Sequence, residues 1–327
     1  ETPSINFRGR GNLGSSSPLF VIDGVISNSG TFSNLDPNIV ESVSFLKDAA
    51  SASIYGSRAA YGVVLVTTKS GKNGALNVSY NGFVGSKSST YRPDMLNSGE
   101  YAELYNEGLI NRGVAPLYSA EQIGWFKDGS KPDLYPNTNW TDLVLDKSAI
   151  TTLHSLNFSG GTDKIRYFTG LSYLYDDQFM PGQDNKRYNL QTKVSSDVTS
   201  WLTLNTNVSY IRNENDRTNG STSNYQMQAV PPTMVARQSN GEWGTINGGV
   251  IASQNFINFN ALRNLNKNDW SHGNSANTVI DLGFDLKPFK GLVVNGQGSY
   301  TGNEGKSKTY RGLQDHALNY FTGAGIP

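Results

Sequence analysis

The sequence predicts a mainly β chain: a small α+β unit at the front, then long antiparallel strands of the kind that form a transmembrane barrel. Three observations carry this expectation. From Leu76 onward, apolar and polar residues alternate with a period of two in segment after segment, as in strands with two unlike faces. The connections between those segments run long, short, medium, short, long, short, which suits a meander with one end outside a cell better than a soluble sandwich. No run of about 18 apolar residues exists, so no transmembrane helix can be drawn, and a barrel leaves that same negative result.

The front unit is organised around Pro18 to Lys69. PLFVIDG is a continuous β-branched and aromatic run ending on the turn-prone pair Asp23-Gly24, and reads as a buried strand with its turn. VESVSFLKD sets Val40, Val43 and Phe45 among polar neighbours, Gly56 can stop a short helical turn, and Tyr61 to Thr68 returns to a valine-rich strand. Three short strands and a tight helical turn with almost no exposed apolar face are expected.

Beyond Lys69 the first long strand is LNVSYNGFVG, with Leu76, Val78, Tyr80 and Val84 opposed to Asn77, Ser79 and Asn81. Tyr91 to Lys147 then departs from the strand pattern. Tyr101, Leu104, Tyr105 and Leu109 fall at helical spacing behind Ser98 as N-cap, and Ser119 to Phe126 suggests a second helix. Six more strands follow: Thr151 to Ser159, Ile165 to Tyr175, Tyr188 to Val198, Leu202 to Tyr210, Val279 to Lys287, and one carrying Leu292, Val294 and Tyr300. Tyr175, Tyr188, Tyr210 and Tyr300 suit an interfacial girdle, although tyrosine also favours strands for its shape alone. Seven strands leave open edges that lipid cannot satisfy, so the remaining strands are expected elsewhere.

Five segments in order, RGRG (Arg8 to Gly11), PLFVIDG, LDPNIVESVSFLKDA, IYGSRAAYGVVLVTTKSG and NVSYNGFVG, resemble the plug domain of the SusC/RagA family of TonB-dependent outer-membrane transporters. The resemblance implies a plug over residues 1–74 inside a barrel of about 22 strands, of which 75–327 would supply roughly the first seven, with extracellular loops at about 87–149 and 214–275. It further implies import of oligosaccharides across the outer membrane of a Bacteroidota-type bacterium. The energy would come through TonB with ExbB and ExbD, and a SusD-like lipoprotein would act as partner, in dimers of such pairs. Oligopeptide import by the same mechanism is the alternative, with siderophore or cobalamin import and a surface binding module behind it. The TonB box and N-terminal extension of the family would lie upstream of Glu1. In related transporters, plug loops facing the outer cavity contact substrate. By position this points to the loop Val25 to Leu35, with Asn28, Ser29 and Thr31 as polar contacts and Phe32 as a stacking ring, and secondarily to Asn12 to Ser17. Trp125, Trp140, Tyr225 and Trp243 are loop aromatics that could stack on sugar rings or pack within their loops.

Other chemistries find little support. Acidic and basic side chains balance at 27 each, which gives no electrostatic footprint for nucleic acid. The absence of cysteine removes disulfides and thiolate metal sites. His154, His272 and His316 lie far apart without metal-ligand spacing. The GxGxxG match at Gly9, Gly11 and Gly14 runs into SSSPLF and a strand rather than opening a helix, so it reads as a plug loop and not a dinucleotide site. No Walker motif, nucleophile elbow or HExxH is present, and adjacent Asp176 and Asp177 would point to opposite faces of a strand. Neither a cofactor, a metal nor an enzymatic activity is expected.

Overall fold

The computed structural model describes residues 5, 17–48, 53–218, 227, 230–244, 260–265, 269–311 and 318–319. At the front, β1 (Leu19–Ile22), β2 (Val25–Ser27), β3 (Val40–Leu46) and β4 (Val63–Thr68) form a four-stranded sheet in the order β2-β1-β4-β3. Asp23 and Gly24 both take positive φ, 51° and 86°, which is the backbone of a two-residue type I′ hairpin and pairs Ile22 with Val25. β1 runs parallel to β4 and is covered on both faces: Val21 packs with Val63 and Ala59, while Phe20 packs with Val64, Val66, Leu35 and Ile39. A strand buried on both sides needs no alternation, which is why PLFVI and VVLV read as unbroken apolar runs.

The unit thus has four strands rather than three. The segment expected as a free loop after Gly24 is instead β2 followed by a short helix, α1 (Ser29–Ser33). A bulge between Val40 and Ser42 breaks the alternation of β3. Val43, Phe45 and Ile54 remain exposed, so the front unit does carry apolar surface. Gly56, at φ 64°, kinks the 3₁₀ segment Ser53–Ala59 as the sequence suggested.

The long strands are β5 (Gly74–Ser88), β6 (Ser148–Gly161), β7 (Ile165–Asp177), β8 (Asp184–Thr199), β9 (Leu202–Thr218), β11 (Trp270–Leu286) and β12 (Val294–Tyr310). They form one seven-stranded sheet, every neighbouring pair antiparallel, in the order β12-β11-β9-β8-β7-β6-β5. The connections are residues 89–147, 162–164, 178–183, 200–201, 219–269 and 287–293, so every even-numbered turn is brief and lies on one side. A two-residue piece, β10 (Trp243–Gly244), pairs with β13 (Leu318–Asn319) outside this sheet.

One face of the sheet turns outward and carries the large apolar side chains. Leu76 is 59 % exposed, Val84 74 %, Leu282 58 % and Tyr300 64 %, values that a water-soluble sandwich would not leave on its strands. On β9 this outward series is Leu202, Leu204, Thr206, Val208 and Tyr210, and it then turns to Arg212, Glu214 and Asp216 without leaving the strand. Nine residues from Leu202 to Tyr210 match the ~9–11 that a tilted strand needs to cross a hydrocarbon core. The strand therefore continues past the apolar band as a charged overhang. There, Asp216 meets Lys186 at 3.3 Å and His272 at 2.6 Å, and Arg212 meets Glu214 at 2.6 Å. The sequence reading ended strands where the apolar alternation ended. Main-chain pairing does not end there: Thr218 is still opposite Trp270, inside the span read as a connection.

The two long connections carry their own structure. In the first, α2 (Ser98–Asn111) starts one residue earlier than expected: Asn97 is the N-cap, and it forms a reciprocal capping box with Glu100. α3 (Ala120–Asp128) is capped by Ser119 and Gln122 in the same way. Asn106 ties the return of the chain, donating to the Tyr118 carbonyl and accepting from Leu117 and Tyr118 N–H. Tyr118 lies in a cluster with Phe126 and Tyr135, and burial pushes its phenol up to about 12. α4 (Trp140–Val144) packs with α5 (Ala261–Leu265) and Met227, Val230, Met234 and Ala236 of the second connection. The indole of Trp140 donates to the Pro231 carbonyl and the Thr138 hydroxyl to that of Met234, so the two connections share one core.

Candidate functional site

The inward face of the sheet is polar and holds the front unit. Alternation places Asn157 of β6, Arg187, Asn189, Gln191 and Lys193 of β8, Asn205 and Asn207 of β9, and Asp281 of β11 on this side. Ser155 donates to Asp36 at 2.6 Å with both side chains fully buried. Asn189 and Arg187 donate to the carbonyls of Asn34 and Ser33, and Asn81 to Asn38. Two inward apolar side chains, Phe168 and Ile211, complete the cluster of Phe20, Leu35 and Ile39. The seam is thus not purely polar, because an apolar patch lies within it. Gly170 makes the approach possible: a Cβ there would lie 2.6 Å from Ile39 Cγ2 and 2.8 Å from Asn157 Oδ1.

The strongest single tie is at the β1–β2 turn. Lys193 Nζ reaches Asp23 Oδ1 at 2.7 Å and the Thr68 carbonyl at 2.9 Å, with the two charged side chains only 16 % and 9 % exposed. The other partners of Asp23 are the Thr68 N–H at 2.9 Å, the Thr68 hydroxyl at 2.7 Å and Asn207 Nδ2 at 3.4 Å. The left-handed φ of Asp23 aims one carboxylate at its own unit and at the wall together.

Between this turn and the wall lies a cleft of about 230 Å³. The front unit contributes Ser27, Asn28 and Thr31, and the wall contributes Gln191, Ser209, Asn277 and Asn303. Among the described lining residues the one charged group is Asp23, already paired. Asn28 and Thr31 are therefore brought together at one cavity. Asn28 is also the N-cap of α1, its Oδ1 accepting from Thr31 N–H at 2.9 Å, which leaves its amide N–H groups for the cleft. Ser29 opens that helix. Phe32 is not part of the lining; its ring packs against Phe20 with centroids 5.3 Å apart.

The loop aromatics are largely spoken for. Trp140 is buried in the shared core of the connections, Lys131 covers the Trp125 ring at 3.3 Å, and Arg237 lies over Trp243 at 5.1 Å. Tyr225, the Gly9, Gly11 and Gly14 motif, the segment Asn12 to Ser16 and His316 lie outside the described residues. His154 bonds to the Tyr80 hydroxyl at 2.7 Å on the outward face, and Asp176 pairs with Lys87 at 2.7 Å. Among the described residues no group of three or more metal-binding side chains gathers, and no helix is long and apolar enough to cross a membrane, which says nothing of strands.

Sequence reasoning found neither the wall half of the cleft nor Lys193 as a tie. Within Tyr188 to Val198, alternation sets Gln191 and Lys193 opposite Leu190 and Val194, but nothing local reveals that Lys193 meets Asp23.

Residues 1–63 match the TonB-dependent receptor plug domain. TonB-dependent receptor SusC of Bacteroides thetaiotaomicron is 29 % identical over 284 residues, covering 84 % of this chain and 26 % of that protein. TonB-dependent receptor P26 of Formosa agariphila is 27 % identical over 326 residues, covering 97 % of this chain and 31 % of that protein. The chain therefore spans between a quarter and a third of the length of these curated relatives. A chain of the RagAB peptide importer, solved in its closed-closed state, shares the fold with a TM-score of 0.73 at 21 % identity, over 96 % of this chain and 38 % of that one. These relatives are receptors and transporters rather than enzymes. The plug match, the two receptor relatives and the shared fold together make the chain similar to TonB-dependent receptors of the SusC and RagA type.

Proposed function

We propose that residues 1–74 form the movable plug, and 75–327 the leading wall, of a transporter that imports oligosaccharides across the outer membrane of a Gram-negative bacterium. The inner-membrane gradient supplies the energy through TonB, and a SusD-like lipoprotein, in dimers of such pairs, covers the outer mouth. The connections 89–147 and 219–269 belong to the outer side on this reading, because they are the long ones and the strand overhangs lead into them.

The observation that carries the choice of cargo is the cleft lining. Asn28, Thr31, Gln191, Ser209, Asn277 and Asn303 offer neutral amide and hydroxyl groups, which pair naturally with sugar hydroxyls. Among the described lining residues there is no uncompensated charge for a peptide terminus. Peptide import by the same route is the second reading, since the RagAB relative is a peptide importer. Trp243, near the outer connections, remains a proposed contact for a longer chain of sugars.

Uptake of labelled oligosaccharides and of labelled oligopeptides by cells carrying the whole gene product tests the assignment. Oligosaccharide uptake that falls on Asn28→Ala and Thr31→Ala substitution is expected. Uptake of peptides alone overturns the cargo assignment.

A further inference from the structure

A second cavity, of about 260 Å³, lies on the short-turn side of the same seam and is lined by Arg166, Ser195, Asn205 and Asp281 among others. Asp23 and Asn207 line both cavities, and Lys193 lines the inner one. The Asp23–Lys193 pair is therefore the partition between a neutral outer cleft and a charged inner one.

Asp281 supplies the other half of the observation. It is only 8 % exposed, its Oδ2 accepts from Gln297 at 2.9 Å, and its Oδ1 has no hydrogen-bond partner among the described residues. A buried carboxylate oxygen without a donor is costly unless another state of the protein uses it. Lys193, Asn207 and Asp281 stand in one row across β8, β9 and β11: Lys193 is opposite Asn207, which is opposite Asp281, and all three face inward. With strands about 4.8 Å apart, the backbones of Lys193 and Asp281 are about 10 Å apart, within the combined reach of a lysine and an aspartate side chain.

We propose that Lys193 is a switch with two acceptors. With the plug seated, its ammonium holds Asp23 and closes the seam. When the β1–β2 turn is drawn away, Asp23 keeps both Thr68 hydrogen bonds within the plug, and Lys193 turns along its row to Asp281. The two cavities then join along the wall. Lys193 thus has a carboxylate partner in both states, and Asp23 keeps donors in both, so release of the plug does not strand either of these two charges.

The proposal rests on the transport reading but not on the cargo, and its test needs no substrate. The ionic conductance of the whole gene product, purified into planar bilayers without TonB, reports leakage past the plug. Asp23→Asn removes the negative charge of the seated acceptor and leaves that of Asp281, so conductance is expected to rise about tenfold, the shift that loss of one charged pairing of about 1.4 kcal/mol produces. Adding Asp281→Asn removes the competing carboxylate charge and is expected to bring conductance back toward the unsubstituted level. Asp281→Glu, which keeps the carboxylate, should not suppress the leak. If Asp23→Asn leaks no more than the unsubstituted protein, or Asp281→Asn fails to suppress the leak, the switch is wrong, while labelled-cargo uptake still judges the transport reading separately. Heat-modifiable migration in gels confirms that each variant is a folded barrel. Should the Asp23 variant not assemble, Lys193→Met is measured instead: with the ammonium gone, adding Asp281→Asn must leave the conductance unchanged, or the proposal fails.

Discussion

The two faces of the long sheet are made by the same strands and held by different physics. Outward, Leu76, Val78, Leu204, Leu282 and Tyr300 stand exposed, and among the described residues none of them belongs to a buried cluster. Inward, Ser155, Gly170, Asn189 and Lys193 each meet a named atom of the plug. The outer face needs only to be apolar over the right length, whereas the inner face must match a partner atom by atom. Substitutions that keep polarity are therefore tolerated outside and penalised inside.

The largest expected effect tests the outer rule. Leu204→Arg lies inside the apolar band of β9 and should cost about 2–4 kcal/mol, read as loss of folded protein by urea unfolding in vesicles. Thr218→Arg, on the overhang of the same strand, should cost about 0–1 kcal/mol. Equal effects at the two positions would mean that the band does not end near Tyr210. Inside, Gly170→Val drives side-chain atoms into Ile39 and should cost about 1–3 kcal/mol, seen as protease sensitivity of the plug with the barrel intact. Ser155→Ala leaves the buried Asp36 carboxylate short of one donor and should loosen the plug by about 1–2 kcal/mol in the same assay, while Ser155→Thr retains the hydroxyl and should do less. Away from both faces, Asn97→Ala removes the α2 cap and should cost about 1 kcal/mol locally, measured by hydrogen exchange of the first helical turn. The exposed pair of Lys127 and Glu103 should give the smallest change, within about 0.5 kcal/mol on Lys127→Ala.

Much of the fold was legible because its signals are local. The turn at Asp23-Gly24 is announced by two residues that tolerate positive φ, and each of the seven strands by its own alternation. The strand ends were not legible. Ile211 to Thr218 (IRNENDRT) reads as polar coil, yet its backbone stays paired to β11 and β8. The cap of α2 was displaced by one residue because Ser98 and Asn97 are both good caps, and only Glu100 three places after Asn97 separates them. The site was half legible: Asn28 and Thr31 could be chosen by position, but Gln191, Asn277 and Asn303 join them only through contacts over more than a hundred residues of chain. Phe32 shows the limit most plainly, since an aromatic ring in a presumed loop carries no mark of the Phe20 ring that receives it.

The bonding of Trp140 and Thr138 to carbonyls of the other long connection has a mechanical consequence. A pull on either connection is shared by both, because their helices are pinned through one set of buried side chains. Whatever grips the rim at one strand pair thus levers the rim at another, and the upper edge behaves as a single stiff bracket instead of two independent tassels.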